Sequence, residues 1–263
     1  MNSDSLDPQL VLELLGYLAD DNVVLVGGQS VMFWAHHYQL LNQHESFTTD
    51  IDLFGNSADI ESADARLIAV HHETKYAELD DSSPNSGVIL INATGRAKVR
   101  VVYLWSVYGL AGSDIQERSV PLKMSGFKHA LRVLHPLMCL ESKVANIGAF
   151  PLKRDAFGVK QADLSIQIAR SYVEGLLQQQ RQRDALNAVE RIFRIAQMDA
   201  SSFAWHVFAL DVTKAIPPHE KLPDEFGLVR WPQMQQRLDK ARMALGKRLP
   251  NKPDVSNTLR MRF

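Results

Sequence analysis

Residues 23–30 read VVLVGGQS and residues 49–55 read TDIDLFG, and these two segments decide the fold. Four apolar residues followed by two glycines predict a buried strand that ends in a tight turn. Glycine lets a ligand approach the main chain closely. Ser30 lies at the start of the next predicted helix, where backbone N–H groups favour phosphate. The first segment therefore predicts a strand, a turn formed by Gly27 and Gly28, and a helix that can meet a phosphate group.

The second segment carries two aspartates, Asp50 and Asp52, on either side of Ile51. In a strand, residues i and i+2 share a face, so both carboxylates should point the same way. Two adjacent carboxylates repel each other unless a cation lies between them, and the simplest such cation is Mg²⁺ bound with the phosphates of a nucleotide. The alternative is a plain Gly-Gly turn followed by two exposed charges at a strand end.

A Gly-Gly-x-Ser turn followed by Asp-x-Asp on the next strand resembles the nucleotidyltransferase superfamily, and more closely the AbiEii-type toxins of type IV toxin–antitoxin pairs. The resemblance implies Mg²⁺-dependent transfer of a nucleoside monophosphate from an NTP to a hydroxyl. The acceptor would be an RNA, tRNA in particular, or a protein, and a cognate antitoxin would be a further partner. Asp50 and Asp52 would be the metal ligands, and Gly27, Gly28 and Ser30 would hold the nucleotide.

The AbiEii-type resemblance also implies a lysine and an aspartate from the helical half of the chain, and Lys143 and Asp163 are the positions that match. Lys143 would neutralise the triphosphate as a point charge, and it would count among both the catalytic and the nucleotide-binding residues. Asp163 would supply a metal ligand or a base. In the simpler readings, Lys143 only extends its stem along an apolar helix stripe, and Asp163 pairs with Lys160 three residues earlier.

One expected group is missing from the predicted strand 98–104. A two-metal site usually takes a third carboxylate from a later strand, yet the sequence has no acidic residue between Asp81 and Asp114. The faces of this strand offer Lys98, Arg100 and Val102, or the alternate set. This departure supports a second hypothesis, in which a degenerate transferase fold binds a nucleotide or a partner without turnover.

Composition sets outer limits on these hypotheses. The chain has 263 residues, 46% of them hydrophobic, which is enough for a substantial core in one or two domains. A net charge of −1 gives no whole-protein field toward nucleic acid or membrane, although a local basic patch remains open. The single cysteine, Cys139, lies in an apolar run and is expected to be a buried thiol. Without a transmembrane-length run or a signal-peptide pattern, a cytoplasmic protein with no membrane partner is expected.

The pattern along the chain predicts an α+β protein with a helical C-terminal half, and the resemblance implies that the N-terminal half is a nucleotidyltransferase-like mixed sheet flanked by helices. The predicted domains are residues 1–134 and 135–249, followed by a tail at 250–263. Strands are expected at 23–26, 50–54, 87–91, 98–104, 120–124 and 130–134, with a polar loop at 73–86. Helices are expected at 8–20, 29–41, 60–70, 136–147, 157–180, 184–197, 201–216 and 232–245.

Overall fold

The chain has the predicted α+β fold, in a computed structural model that describes residues 5–46, 48–78, 84–92, 98–218, 222–223 and 226–246. It divides into two compact units, residues 1–143 and residues 144–263. The first unit holds the sheet and the second is helical. The division falls inside a helix, later than the predicted boundary at 134/135. The predicted tail, 250–263, lies outside the described residues.

The first unit contains a mixed sheet of seven described strands in the order β3-β4-β5-β2-β1-β7-β6. The strands are β1 (Val24–Val26), β2 (Asp50–Phe54), β3 (His72–Tyr76), β4 (Asn85–Ile91), β5 (Val99–Leu104), β6 (Val120–Leu122) and β7 (Leu131–Val133). The helices are α1 (Pro8–Leu18), α2 (Gly27–His37), α3 (Ser57–Arg66), α4 (Gly112–Arg118) and α5 (Pro136–Ala149), which continues into the second unit.

Strand β2 lies in the middle of the sheet, antiparallel to β1 and parallel to β5. One row of paired residues across three strands is fully buried. It consists of Ile51 on β2, Val101 on β5 and Ile89 on β4. Because residues that pair across strands share a face, this row forms the apolar side of the sheet. The neighbouring positions on β2, Asp50 and Asp52, therefore lie on the other face.

The second unit is built from helices whose apolar positions recur every three or four residues, as amphipathic helices require. Its α-helices are α6 (Ala156–Gln178), α7 (Gln182–Ala196), α8 (Asp199–Phe208) and α9 (Trp231–Gly246). Short 3₁₀ turns lie at Pro151–Lys153 and Val212–Ala215, and a π-helical turn at Phe226–Arg230 precedes α9. In the ranges described, no helix is both long and apolar enough to cross a bilayer.

Two predictions of local structure were wrong, and one helix was missed. The polar stretch expected as a loop at 73–86 contains the edge strand β3, in which His72 and Tyr76 mark the ends of a half-exposed ladder with β4. Helix α4 was not predicted. The helix expected at 201–216 ends at Phe208, because the backbone of Ala209 turns into the left-handed region at φ 56°.

Three described helices end on a left-handed residue that is not glycine. After α2, α6 and α8 these residues are Gln39, Gln180 and Ala209, with φ of 56°, 58° and 56°. In each case a backbone N–H beyond the helix closes a hydrogen bond back into the last turn; after α2, for example, Leu40 N–H donates to Ala35 O at 2.8 Å. Glycine is the residue usually found at this position.

The end of α1 is held to α3 by Arg66, whose guanidinium donates to Asp20 Oδ2 at 2.7 Å and to Tyr17 O at 2.8 Å. Burial alone would raise the pKa of Asp20. The hydrogen bonds from Arg66 and from the backbone N–H of Asn22 outweigh burial and hold that pKa below its ordinary value of 3.8. The charged pair therefore stabilises the fold above about pH 4, and this contribution is lost as the pH falls through the lowered pKa.

Arg66→Ala is expected to lower the free energy of unfolding at pH 7 by about 1–3 kcal/mol, because it removes charge-assisted hydrogen bonds from a mostly buried site. The deficit should shrink as the pH falls through the lowered pKa of Asp20, because the carboxylate then protonates in the wild type as well. Urea unfolding over a pH series from 7 downward measures this. Arg118→Ala, which breaks an exposed pair with Asp114, is the control and should cost under about 0.5 kcal/mol. A deficit that does not change with pH would contradict the assignment to Asp20.

Candidate active site

The two aspartates of the second segment lie on one strand, as predicted. Asp50 and Asp52 are half-buried on β2, and they alternate with Ile51 and Leu53, which are almost completely buried. Asp50 is paired with Arg100 on β5, and Asp52 is paired with Val26 on β1. The carboxylates thus lie on the less buried face, near the end of β1 where the glycine turn begins.

Gly27 and Asp52 are in direct contact. Gly27 has φ 65°, and a β-carbon built on it would lie 1.9 Å from Asp52 Oδ2 and 2.7 Å from Asp52 Cβ. Only a residue without a side chain can occupy this position while Asp52 keeps its conformation. The carboxylate and the main chain of the turn therefore form one surface.

Helix α2 begins at Gly27 itself, two residues earlier than predicted. Its N-cap residue, Val26, provides no side-chain hydrogen bond to the first turn. The free N–H groups of a helix start are suited to an anion. Gly28 lies in this first turn, so its backbone is where the sequence predicted phosphate contact.

Ser30 has a different environment from the one the sequence suggested. It is fully buried, and its hydroxyl donates to Gly27 O at 3.0 Å. A hydroxyl in this position stabilises the turn, and it cannot reach a phosphate unless the turn opens. Any contribution of Ser30 to nucleotide binding would therefore act through the shape of the turn.

A buried hydrogen bond that the sequence did not reveal joins the two segments. The side-chain amide of Gln29 donates to the hydroxyl of Thr48, and both residues are almost completely buried. Thr48 lies two residues before Asp50. The bond therefore fixes the start of β2 against the start of α2, and with it the spacing between the aspartates and the turn.

Lys143 is connected to the same region through Cys139. Cys139 is a buried thiol, as predicted, and its Sγ lies 3.5 Å from Ser30 Oγ. Burial raises the pKa of Cys139 to about 11, although the contact with Ser30 and the nearby charge of Lys143 limit the rise. Lys143 is one turn further along α5, on the same helix face. It is half-buried.

This contact of α5 also explains the position of the unit boundary. Cys139 packs against Ser30 of α2, and Trp34 of α2 donates its indole N–H to Leu134 O at 2.8 Å. The first half of α5 therefore belongs to the unit that contains the sheet. A boundary at 134/135, as the change in sequence character suggested, would separate Cys139 from Ser30.

Asp163 belongs to the second unit, on α6. Its side chain is exposed, and Oδ2 accepts a hydrogen bond from Gln167 Nε2 at 2.8 Å. Its approach to Asp50, with Lys143 and Asp163 facing one cleft, stays a prediction.

The register of β5 settles which of its residues stand beside the aspartates. Arg100 is level with Asp50 and Val102 with Asp52, so the position where a third carboxylate was sought carries a cation or an aliphatic side chain. Over the described residues, no three His, Cys, Asp or Glu side chains are arranged to hold a metal ion. Mg²⁺ is usually held by one or two carboxylates together with substrate phosphates and water. Asp50 and Asp52 fit an ion that arrives with a nucleotide.

Arg154, shortly before α6, has a structural role. Arg154 donates to Ile147 O at 3.0 Å and to Gly148 O at 2.9 Å, and its guanidinium lies 4.5 Å from the centre of the Phe203 ring. These bonds satisfy the last carbonyl groups of α5. Arg154 is thereby engaged within its own unit.

Fold and site together define an α+β protein with paired strand aspartates against a glycine turn. No protein-family model matches the chain, and no curated protein matches it. The function proposed below therefore rests on the geometry of the site and on its sequence motifs.

Proposed function

We propose that this protein is a Mg²⁺-dependent nucleotidyltransferase that moves a nucleoside monophosphate from an NTP to a hydroxyl group. The observation that supports this most directly is the contact between Asp52 and the backbone of Gly27. It brings two carboxylates and the start of a helix to one surface, where a metal and a triphosphate can be bound together.

Each residue has a distinct role in the proposal. Asp50 and Asp52 supply negative oxygen ligands, while the backbone of Gly27 and Gly28 donates to the phosphates. When bound, Mg²⁺ would offset the charge on the phosphates and favour attack at the α-phosphorus. Lys143 adds a fixed positive charge beside the phosphates. Asp163 supplies a further carboxylate, as ligand or base for the attacking hydroxyl.

The reaction is an in-line displacement at the α-phosphorus. The acceptor oxygen forms the new P–O bond, its proton passes to a base, and pyrophosphate leaves. Most of the rate enhancement would come from positioning and from charge neutralisation. The motif resemblance points to an RNA acceptor, tRNA in particular, or to a protein hydroxyl, and to a toxin with a cognate antitoxin.

The experiment that tests this proposal has two parts. The melting temperature is measured with Mg²⁺ and each of the four NTPs, and pyrophosphate release is then measured with total RNA as the acceptor. The proposal expects a melting-temperature increase that needs both Mg²⁺ and an NTP, followed by release of pyrophosphate and labelling of RNA. An unchanged melting temperature with every NTP would overturn it.

A non-catalytic protein that binds a nucleotide or a partner is the second candidate function, and Arg100 favours it. Its position level with Asp50 puts a positive charge where a two-metal transferase would have an acid. A stabilising effect of Mg²⁺ and NTP without pyrophosphate release, on RNA or on protein acceptors, would select this candidate.

Lys143→Ala is expected to impair NTP binding, whereas Asp163→Asn is expected to impair turnover. Lys143→Ala removes a charge from the phosphates, so the Kd for the NTP should rise by about tenfold. Asp163→Asn should leave the Kd nearly unchanged and lower turnover by about a hundredfold, because it removes a group used in the chemical step.

Titration with a fluorescent NTP measures binding, and pyrophosphate release measures turnover. Lys123→Ala, an exposed lysine of the same unit, controls for the loss of one positive charge. Full turnover in Asp163→Asn would remove Asp163 from the mechanism and leave the site with only two carboxylates.

A further inference from the structure

The two units carry opposite charge, which the overall value of −1 conceals. Residues 144–263 contain 19 Lys and Arg and 12 Asp and Glu, a net charge of +7, whereas residues 1–143 contain 10 and 18, a net charge of −8. A positive excess on one unit attracts polyanions to that unit specifically. A polyanion would also need a specific site on the helical unit.

A cavity of about 160 Å³ lies in the helical unit, between α7 and the segment that runs from the π-helical turn into α9. Its apolar lining comes from Phe193 and Met234, both almost completely buried. Arg194, Arg230 and Arg237 also line it, with Glu190 as the one acidic residue. We call this set of residues the arginine pocket.

The three arginines differ in whether they form an ion pair within the protein. Arg230 is paired with Glu190, at 3.0 Å between Nη2 and Oε1. Within the described ranges, the exposed side chains of Arg194 and Arg237 form neither an ion pair nor a hydrogen bond. The lining residues therefore carry a net charge of +2, and the guanidinium groups of Arg194 and Arg237 have no acceptor within the part of the chain that the structure describes. Guanidinium groups bind phosphate oxygens in pairs of parallel hydrogen bonds.

The positive surface continues along α7. Arg183 lies eleven residues before Arg194, which is three helical turns, so both side chains lie on one face about 16 Å apart along the axis. Arg183 is exposed as well. Cations spaced along a helix face fit a chain of phosphates better than a single small anion, because an extended strand can contact each of them.

We propose that the arginine pocket binds the phosphodiester backbone of a single-stranded nucleic acid. Arg194 and Arg237 hold one phosphate, and Arg183 contacts the same strand further along. The pocket's role in binding depends only on the helical unit, whereas treating the bound strand as the acceptor of transfer rests on the proposed function. In that case the acceptor is a nucleic acid rather than a protein.

The test uses the full-length protein without Mg²⁺ or NTP, and follows the fluorescence anisotropy of a labelled oligouridylate over a range of salt concentrations. Arg194→Ala/Arg237→Ala is expected to weaken binding by roughly 10–30-fold near 0.1 M salt. The slope of log K against the logarithm of the salt concentration should fall in magnitude by about 1.4, the value for two lost contacts on a single strand. Both side chains are exposed, so the circular dichroism spectrum and the melting temperature should stay close to wild type.

Two further variants make the result specific. Arg118→Ala/Lys123→Ala removes two positive charges from exposed positions of the other unit, and it should leave binding within about twofold. Arg194→Lys/Arg237→Lys keeps the charge but loses the paired guanidinium hydrogen bonds, so it should retain the wild-type salt dependence and bind less tightly than wild type but more tightly than Arg194→Ala/Arg237→Ala. An equal loss in the first control would show that only net charge matters, and it would overturn the assignment to the pocket.

Inorganic phosphate and oligothymidylate are the competing ligands. Displacement of the RNA by oligothymidylate at similar concentration supports a backbone contact. Binding of inorganic phosphate as tight as that of the strand would overturn the proposal in favour of a small-anion pocket, and unchanged RNA binding in Arg194→Ala/Arg237→Ala would overturn it outright. Because the assay contains no NTP, a protein that fails to bind any NTP can still bind the oligouridylate, so the two proposals fail separately.

Discussion

Asp52→Asn is expected to lower NTP-dependent pyrophosphate release by about a thousandfold or more at saturating NTP, because it removes one of two negative ligands from the metal. Asn has nearly the same shape as Asp, so it can remain against Gly27 and keep the packing of the turn. The free energy of unfolding should therefore change by no more than about 1 kcal/mol. Asp50→Asn should have a similar effect on the rate.

The matched control is Asp114→Asn on α4, where the carboxylate forms an exposed pair with Arg118. It makes the same chemical change in the same unit and should keep full activity. Pyrophosphate release measured for all three variants, with urea unfolding alongside, separates chemistry from folding. Wild-type activity in Asp52→Asn would remove this carboxylate from the mechanism.

Gly27→Ala is expected to have the largest effect on stability, with a loss of about 3 kcal/mol or more and no detectable NTP binding. Part of this cost is the positive φ of 65°, which costs an alanine about 1 kcal/mol. The larger part is steric, because the new methyl group would lie 1.9 Å from Asp52 Oδ2. Either the strand or the turn must move, and the site is lost in both cases.

Two other variants identify the cause. Gly175→Ala places the same methyl group inside α6, where a β-carbon would meet nothing within 4 Å, and it should raise stability by about 0.5–1 kcal/mol. Asp52→Ala in the Gly27→Ala background removes the carboxylate from the clash and should recover part of the lost stability. Chemical denaturation measures each variant. A Gly27→Ala protein as stable as wild type would show that the turn does not hold Asp52 in this way.

The sequence predicted the parts of the fold that depend on local pattern. The alternation around Ile51 gave β2 with its correct bounds, Asp50–Phe54, and the apolar run before Gly27 gave β1. Strand β3 was missed because HETKY at 72–76 has no apolar face, and its ladder with β4 forms only in the folded sheet. Local patterns could not reveal that partner.

For the site, the sequence named residues but could not give their relations. It left open which face of strand 98–104 meets the aspartates, and only the pairing register puts Arg100 beside Asp50. The bond between Gln29 and Thr48 joins residues 19 positions apart across a connecting segment, and no spacing rule predicts it. The buried hydroxyl of Ser30 likewise depends on α5, which comes more than a hundred residues later in the chain.

The three helix ends at Gln39, Gln180 and Ala209 have a practical consequence for work on this protein. Glycine at each of these left-handed positions would relieve a backbone cost of about 1 kcal/mol. Such substitutions are routinely tolerated, because natural sequences rarely lie at their stability optimum. A background with all three glycines would keep damaging changes at the turn folded long enough to assay. Loss of chemistry could then be measured in proteins that otherwise would be degraded before purification.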